Sequence, residues 1–296
     1  MKKPLDYDAL FSVLSGGGVP VSDAQRSRIS ARLDEIHSYQ PVVGVMGKTG
    51  AGKSSLCNAL FGKDVCGVSD VEACTRDQQE VELNTGGRGI KLIDVPGVGE
   101  SRERDQEYSD LYRDLIPKTD ALFWVLKGDD RAFSTDEAFY KNIVRPYIDK
   151  GKPFFVVLNQ VDKIEPFREW DEQHNCPGVN QSHNIEQKRR YVSQVFDLPL
   201  SQVLAVSANE RYSLVDLVDE LIHALPKEQK FIVLDDVEDE YRSRKARREA
   251  EQGWLDTVGD VVGTVVGAVA DSAVGRAVGK AVGSVVSVIK GFFDWW

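Results

Sequence analysis

The 296-residue sequence predicts an α/β domain with a mainly parallel, six-stranded sheet, one antiparallel edge strand, helices on both faces and helical segments at either end. Three observations lead there. Short apolar runs alternate with helical patterns from Pro41 to Pro226, the rhythm of parallel strands joined by crossover helices. Gly47-Lys48-Thr49-Gly50-Ala51-Gly52-Lys53-Ser54 fills the pattern G-x-x-x-x-G-K-[ST] between the first strand and the helix after it. The other polar residues suited to ligand binding fall at the C-terminal ends of predicted strands, the binding edge of such a sheet.

The glycine loop sets the chemistry. Pro41–Met46 is apolar enough for a buried parallel strand, and Ser55–Phe61 reads as the first turns of a helix. Between them, glycines let backbone N–H groups converge on phosphate oxygens, and the helix N-terminus adds positive potential. The expected nucleotide contacts run from Gly47 through Lys48, Thr49, Gly50, Ala51 and Gly52 to Lys53, Ser54 and Ser55. Lys53 would reach the β- and γ-phosphates, and the Ser54 hydroxyl would ligate Mg²⁺.

Before this loop, residues 1–40 predict two short helices. One covers Asp6–Leu14 and is broken by Gly16-Gly17-Gly18. The second starts at a Ser22 cap, runs to His37, and has Ile29, Leu33 and Ile36 on one narrow face. After the loop, 62–77 is polar and carries Thr75, placed where a nucleotide switch bonds Mg²⁺ and senses the γ-phosphate. Gln79–Leu83 and Gly89–Ile93 predict a hairpin about Asn84-Thr85-Gly86-Gly87. It delivers Asp94-Val95-Pro96-Gly97, an Mg²⁺-linked carboxylate followed by a γ-phosphate-sensing glycine amide.

Asp105–Ile116 predicts an amphipathic helix, Ala121–Leu126 a buried strand, and Ser134 the cap of a helix towards Tyr147. Pro153–Leu158 is a further buried strand, ending in Asn159-Gln160-Val161-Asp162-Lys163. A polar insertion from Glu165 to about His183 precedes a helix over Ile185–Phe196. The strand Gln202–Val206 presents Ser207-Ala208, and Leu214–Leu225 is the last helix of this unit. His174, Cys176 and His183 fit no standard zinc spacing.

Together these residues resemble a GTPase of the TrmE–Era–EngA–septin-like class, and within it the Era-like, YfjP-type bacterial GTPases often seen on prophages and mobile elements. The resemblance covers Pro41 to Pro226 and implies a P-loop GTPase fold. It implies GTP or GDP as ligand with Mg²⁺ as cofactor. The metal would be held by Ser54, Thr75 and Asp94, and catalysis would centre on Lys53, Thr75 and Gly97. It implies a guanine motif at Asn159–Asp162 with Lys163 beside it, and a ribose-side loop at Ser207-Ala208. Asp162 would accept from guanine N1–H and the exocyclic amine, a donor pair that adenine lacks. Asn159 would brace the loops, and the Ala208 N–H would meet guanine O6. Two departures stand out. Gln160 replaces the usual lysine of the guanine motif. Val98 stands where some GTPases place a water-orienting glutamine. Slow intrinsic hydrolysis is the expectation, with Arg76, Arg102 and Arg104 as nearby cations and dimerisation across the nucleotide as another device. Gly50 stands where potassium-activated members carry asparagine.

Beyond Pro226 the composition changes. Residues 227–254 are charged, with a basic cluster of Arg242, Arg244, Lys245, Arg247 and Arg248. A valine–glycine pair then recurs every fourth residue, from Val258-Gly259 to Val282-Gly283, broken once where Asp271 replaces the glycine. The pattern puts a glycine stripe along a helix. An unbroken helix from Val258 to Ile289 would be about 48 Å long against a bilayer core of about 30 Å. Asp260, Asp271, Arg276 and Lys280 interrupt it, which disfavours a plain spanning helix and favours a helical hairpin, an interfacial helix or a self-associating stripe. Three readings stay open for residues 254–296: an anionic membrane surface, self-association, or packing on the nucleotide domain or a partner helix.

The chain thus divides into 1–40, 41–226 and 227–296. A net charge of -10 excludes a nucleic-acid binder that works through overall charge. Partnership with RNA or the ribosome, known for some Era-like proteins, is the alternative to a switch with a membrane-binding or self-associating tail. A nucleotide-binding structural protein is a third. Four unpatterned cysteines and the lack of a leader suit a cytoplasmic protein, peripheral at the inner membrane face if the tail meets lipid.

Overall fold

The structure, a computed structural model, describes residues 7–62, 79–82, 91–94, 109–110, 112–267 and 273–284. Six strands form one sheet: β1 (Val42–Met46), β2 (Gln79–Glu82), β3 (Lys91–Asp94), β4 (Ala121–Lys127), β5 (Phe154–Asn159) and β6 (Val203–Ala205). Their order is β2-β3-β1-β4-β5-β6. The parallel centre is β1, β4, β5 and β6; β3 continues it parallel to β1, and β2 lies antiparallel on β3.

Side chains of the central strands alternate between two cores, as a pleated strand requires. One face carries Val43, Val45, Phe123, Val125, Phe155 and Val157. The opposite face carries Met46, Leu122, Trp124, Leu126, Phe154 and Val156, covered by Tyr112, Tyr140, Ile143, Val192 and Phe196. All seven residues of β4 except Lys127 are buried, so this strand reads as one continuous apolar run.

The first core is completed by both ends of the chain. Tyr7–Gly16 and Asp23–His37 are helices, the second opened by a capping box between Ser22 and Gln25. Ile29 and Leu33 are buried, as their spacing predicts. Lys227–Asp236 and Arg244–Val266 pack on each other, and the latter also contacts Asp23–His37 and Leu214–Ala224. Trp254 is 1% exposed, and its ring lies 6.2 Å from His37 and 5.9 Å from Phe231.

Asp120, just before β4, gathers several of these pieces. Its carboxylate accepts from the Tyr39 hydroxyl (3.0 and 3.1 Å), the Val42 N–H (2.7 Å) and the Gln229 side-chain amide (2.8 Å). Burial, reinforced by that carboxylate, pushes the Tyr39 hydroxyl up to about 12.

The valine–glycine repeat does not form one helix. Gly267 ends the Arg244–Val266 helix in the left-handed region (φ 70°), and a second helix covers Ala273–Ser284. Within the repeat, Val258, Val262 and Val278 enter the core. The glycine stripe does not act as a contact surface at Gly263 or Gly279, where an added Cβ would meet nothing within 4 Å. Close approach occurs at two other glycines. A Cβ at Gly253 would sit 2.6 Å from the Lys227 carbonyl oxygen, and one at Gly17 would sit 2.7 Å from the Ala281 Cβ. No helix among the described residues is long and apolar enough to cross a membrane.

Three further expectations change. Ser134 is the first residue of its helix (Ser134–Phe139), not its cap. A π turn at Tyr140–Val144 follows, ahead of Pro146 in the short helix Arg145–Ile148. Proline lacks an N–H and its ring crowds the preceding turn, so a widened turn there is reasonable. The helix placed at Ile185 begins earlier, at Val179. The Glu169 carboxylate accepts from the Asn180 and Gln181 backbone N–H groups (2.9 and 3.2 Å) and from the Asn180 amide. A cap supplied from ten residues upstream leaves no local signal. Those contacts, the Asn180 amide first, hold the Glu169 carboxyl below its ordinary value.

Candidate nucleotide site

The glycine loop leaves β1 and enters the helix Lys53–Phe61. Gly47, Gly50 and Gly52 all have positive φ (139°, 81° and 85°). At two of them space is decisive as well. A Cβ on Gly47 would run into the Val125 carbonyl oxygen, and one on Gly52 into the Asn159 amide nitrogen. The Lys53 ammonium donates to the Gly47 and Lys48 carbonyls (3.1 and 3.3 Å), and the Ala51 N–H closes a turn onto Lys48 (3.2 Å). Ser54 and Ser55 lie in the first turn of the helix.

Asn159, at the end of β5, is 1% exposed. Its amide donates to the Ala51 and Gly52 carbonyls (3.0 and 3.2 Å), and its side-chain oxygen accepts from the Ala208 N–H (3.0 Å). One buried carboxamide therefore joins three loops that lie far apart in sequence, with its hydrogen-bonding capacity used at both ends. The Ala208 N–H, expected on a guanine oxygen, is engaged by Asn159 here, because a buried amide oxygen requires a donor. Ser207 donates to the Asp162 carboxylate at 2.6 Å, and Gln181 donates to the Asp162 backbone carbonyl at 2.9 Å.

Gln160, in the lysine position of the guanine motif, takes φ 60° and donates to the Gly50 carbonyl at 3.0 Å. Lys163 donates to the Gln160 side-chain oxygen at 2.9 Å. Glutamine thus bridges the guanine motif to the phosphate loop, and Lys163 brings a cation to the same spot. A cleft of about 510 Å³ opens beside Asp162 and Lys163, lined also by Phe167, Trp170, Glu172 and Glu210. The part played by the insertion in this wall was not legible in the sequence, since only folding brings 167–172 against 162 and 210.

Asp94 ends β3, paired in register with Val45 of β1, two residues before Gly47. The backbone therefore puts Asp94 at the same sheet edge as Ser54. Thr75 and Gly97, with Arg76, Val98, Arg102 and Arg104, lie outside the described residues.

Strand order, loop and edge define a P-loop GTPase. The model of a family described as 50S ribosome-binding GTPase matches residues 42–160. YfjP of Escherichia coli (strain K12) is 40% identical over 250 residues, covering 84% of this chain and 83% of that protein. YkfA of the same strain is 39% identical over 232 residues, 78% of each chain. GTPase Der of Leptospira borgpetersenii is 33% identical over 144 residues, covering 46% of this chain and 29% of that one. The chain belongs to the Era-like, YfjP-type GTPases.

Proposed function

We propose that this chain is a GTP-binding switch that hydrolyses its nucleotide slowly. The observation that carries the reading is Asn159, whose one side chain holds the phosphate loop and the Ser207-Ala208 loop around Asp162. Backbone N–H groups from Gly47 to Ser55 would cradle the phosphates, with Lys53 exchanging loop carbonyls for the β- and γ-phosphate oxygens. Asp162 would read the guanine edge. Ser54 and Asp94, oxygen donors at one edge, suit a hard divalent cation, and Thr75 would complete the set. Bound there, Mg²⁺ would offset phosphate charge. Gly97 would supply its amide to the γ-phosphate. Residues 41–226 would form the nucleotide domain, flanked by 1–40 and 227–296.

The test is calorimetric titration with Mg²⁺ and either GTP or ATP, followed by single-turnover hydrolysis. GTP should bind at least about a hundredfold more tightly than ATP, and turnover should be about 10⁻² s⁻¹ or slower. Equal affinity for ATP would overturn the reading. Fast turnover by the isolated protein would overturn the view that Val98 leaves the site without a water-orienting group. Dimerisation across the nucleotide is the device we favour for acceleration.

For the tail we propose peripheral association with an anionic membrane at the cytoplasmic face. Arg244, Lys245 and Arg248 are exposed at the start of the Arg244–Val266 helix, and further along the tail an added Cβ at Gly263 or Gly279 would meet nothing within 4 Å. One member of the basic cluster, Arg242, is turned inward and donates to the Val237 and Asp235 carbonyls. Vesicle flotation should show the full chain rising with phosphatidylglycerol vesicles and an Arg244→Glu/Lys245→Glu/Arg248→Glu variant staying behind. No flotation of the full chain would reject lipid.

A further inference from the structure

Asp136 is a fully buried carboxylate, 0% exposed, in the first turn of the helix after β4. Lys48, the second residue of the phosphate loop, puts its ammonium 2.6 Å from one Asp136 oxygen, an ion pair that is not aligned as a hydrogen bond. The Trp124 indole N–H donates to the other oxygen at 3.3 Å. Burial pushes this carboxyl up, and Lys48 and then Trp124 pull it back. A buried carboxylate stripped of its cation is costly, so Lys48 is drawn towards β4 and its helix. Meanwhile the Lys48 backbone carbonyl accepts from both the Lys53 ammonium and the Ala51 N–H. The residue clamped by Asp136 is therefore the one whose peptide orients Lys53 and closes the loop.

We infer that Asp136 is a positioning residue for the phosphate loop, acting through Lys48 to set how tightly the loop grips the β-phosphate of a guanine nucleotide. The inference rests on the nucleotide reading above. Asp136 itself touches no ligand. Its influence is the fixed register of the Lys48 peptide, so it bears on the diphosphate and triphosphate and little on the base.

The experiment compares GDP and GMP affinities, with thermal unfolding alongside, for the wild type, Asp136→Asn, Lys48→Met, Lys48→Arg and the Asp136→Asn/Lys48→Met double variant. Asp136→Asn and Lys48→Met should each lose roughly tenfold or more in GDP affinity, while GMP affinity moves less than threefold. The double variant should lose no more than the worse single one, because both act through one link. Lys48→Arg, which keeps the cation, should lose less GDP affinity than Lys48→Met. Lys48 is 30% exposed, so its variants keep the test open if Asp136→Asn does not fold. A lower melting temperature with an unchanged GDP-to-GMP ratio would overturn the inference, as would losses that multiply in the double variant. A wild type that binds neither nucleotide would instead overturn the nucleotide reading.

Discussion

Replacing Trp254 by alanine is expected to destabilise the protein by about 3–5 kcal/mol, the range for removing a fully buried large aromatic. The indole packs against His37 and Phe231 in the core that also receives Ile29 and Leu33 from the N-terminal helix. Alanine would leave a cavity bounded by two helices and a histidine ring, and neither helix can close it without leaving its other contacts. Urea unfolding of the wild type and variant measures the difference. A loss under about 1 kcal/mol would mean that the Arg244–Val266 helix is not part of the domain core. The prediction also governs how the tail is to be probed. Cutting at residue 254 removes Trp254, Val258, Val261 and Val262 from the core, so a lost activity would report unfolding; charge reversal at exposed arginines does not carry that penalty.

Asp162→Asn is expected to lower GTP affinity by more than about a hundredfold and to favour xanthosine triphosphate. Guanine offers two donors to a carboxylate. An asparagine amide would set its own donor against the guanine amine, whereas xanthine has a carbonyl at that position. Ser207, which now donates to the Asp162 carboxylate, can still donate to the side-chain oxygen that the substitution leaves in place, so the loop has reason to keep its shape. Competition between the two triphosphates for the protein reads the swap directly. Unchanged preference for guanine would remove Asp162 from base recognition.

The sheet and glycine loop were legible because their signals are local. Residues of β4 and β5 are buried on both faces and so read as unbroken apolar runs. The strain at Gly47 and Gly52 is written into the motif itself. Asn159 and Asp162 could be placed at a strand end from pattern alone. Other features depend on residues that meet only after folding. Lys48 finds Asp136 far along the chain, and Glu169 caps a helix that begins at Val179. Ser134 has a capping residue's chemistry, yet Phe133 occupies the capping position. The repeat left several readings open for a different reason. Its glycines catch the eye, while Val258, Val262 and Val278 enter the core, and the helix end at Gly267 depends on a left-handed residue that any glycine of the series could have supplied.

Asp120 has a consequence for how the molecule can come apart. Its single carboxylate is shared by the segment entering β1, by β1's first amide and by the helix that follows Pro226. Peeling the C-terminal helices away would therefore tug on the root of the very strand whose far end carries the phosphate cradle. A tether pulling on the tail has, in that shared anchor, a mechanical route to the nucleotide.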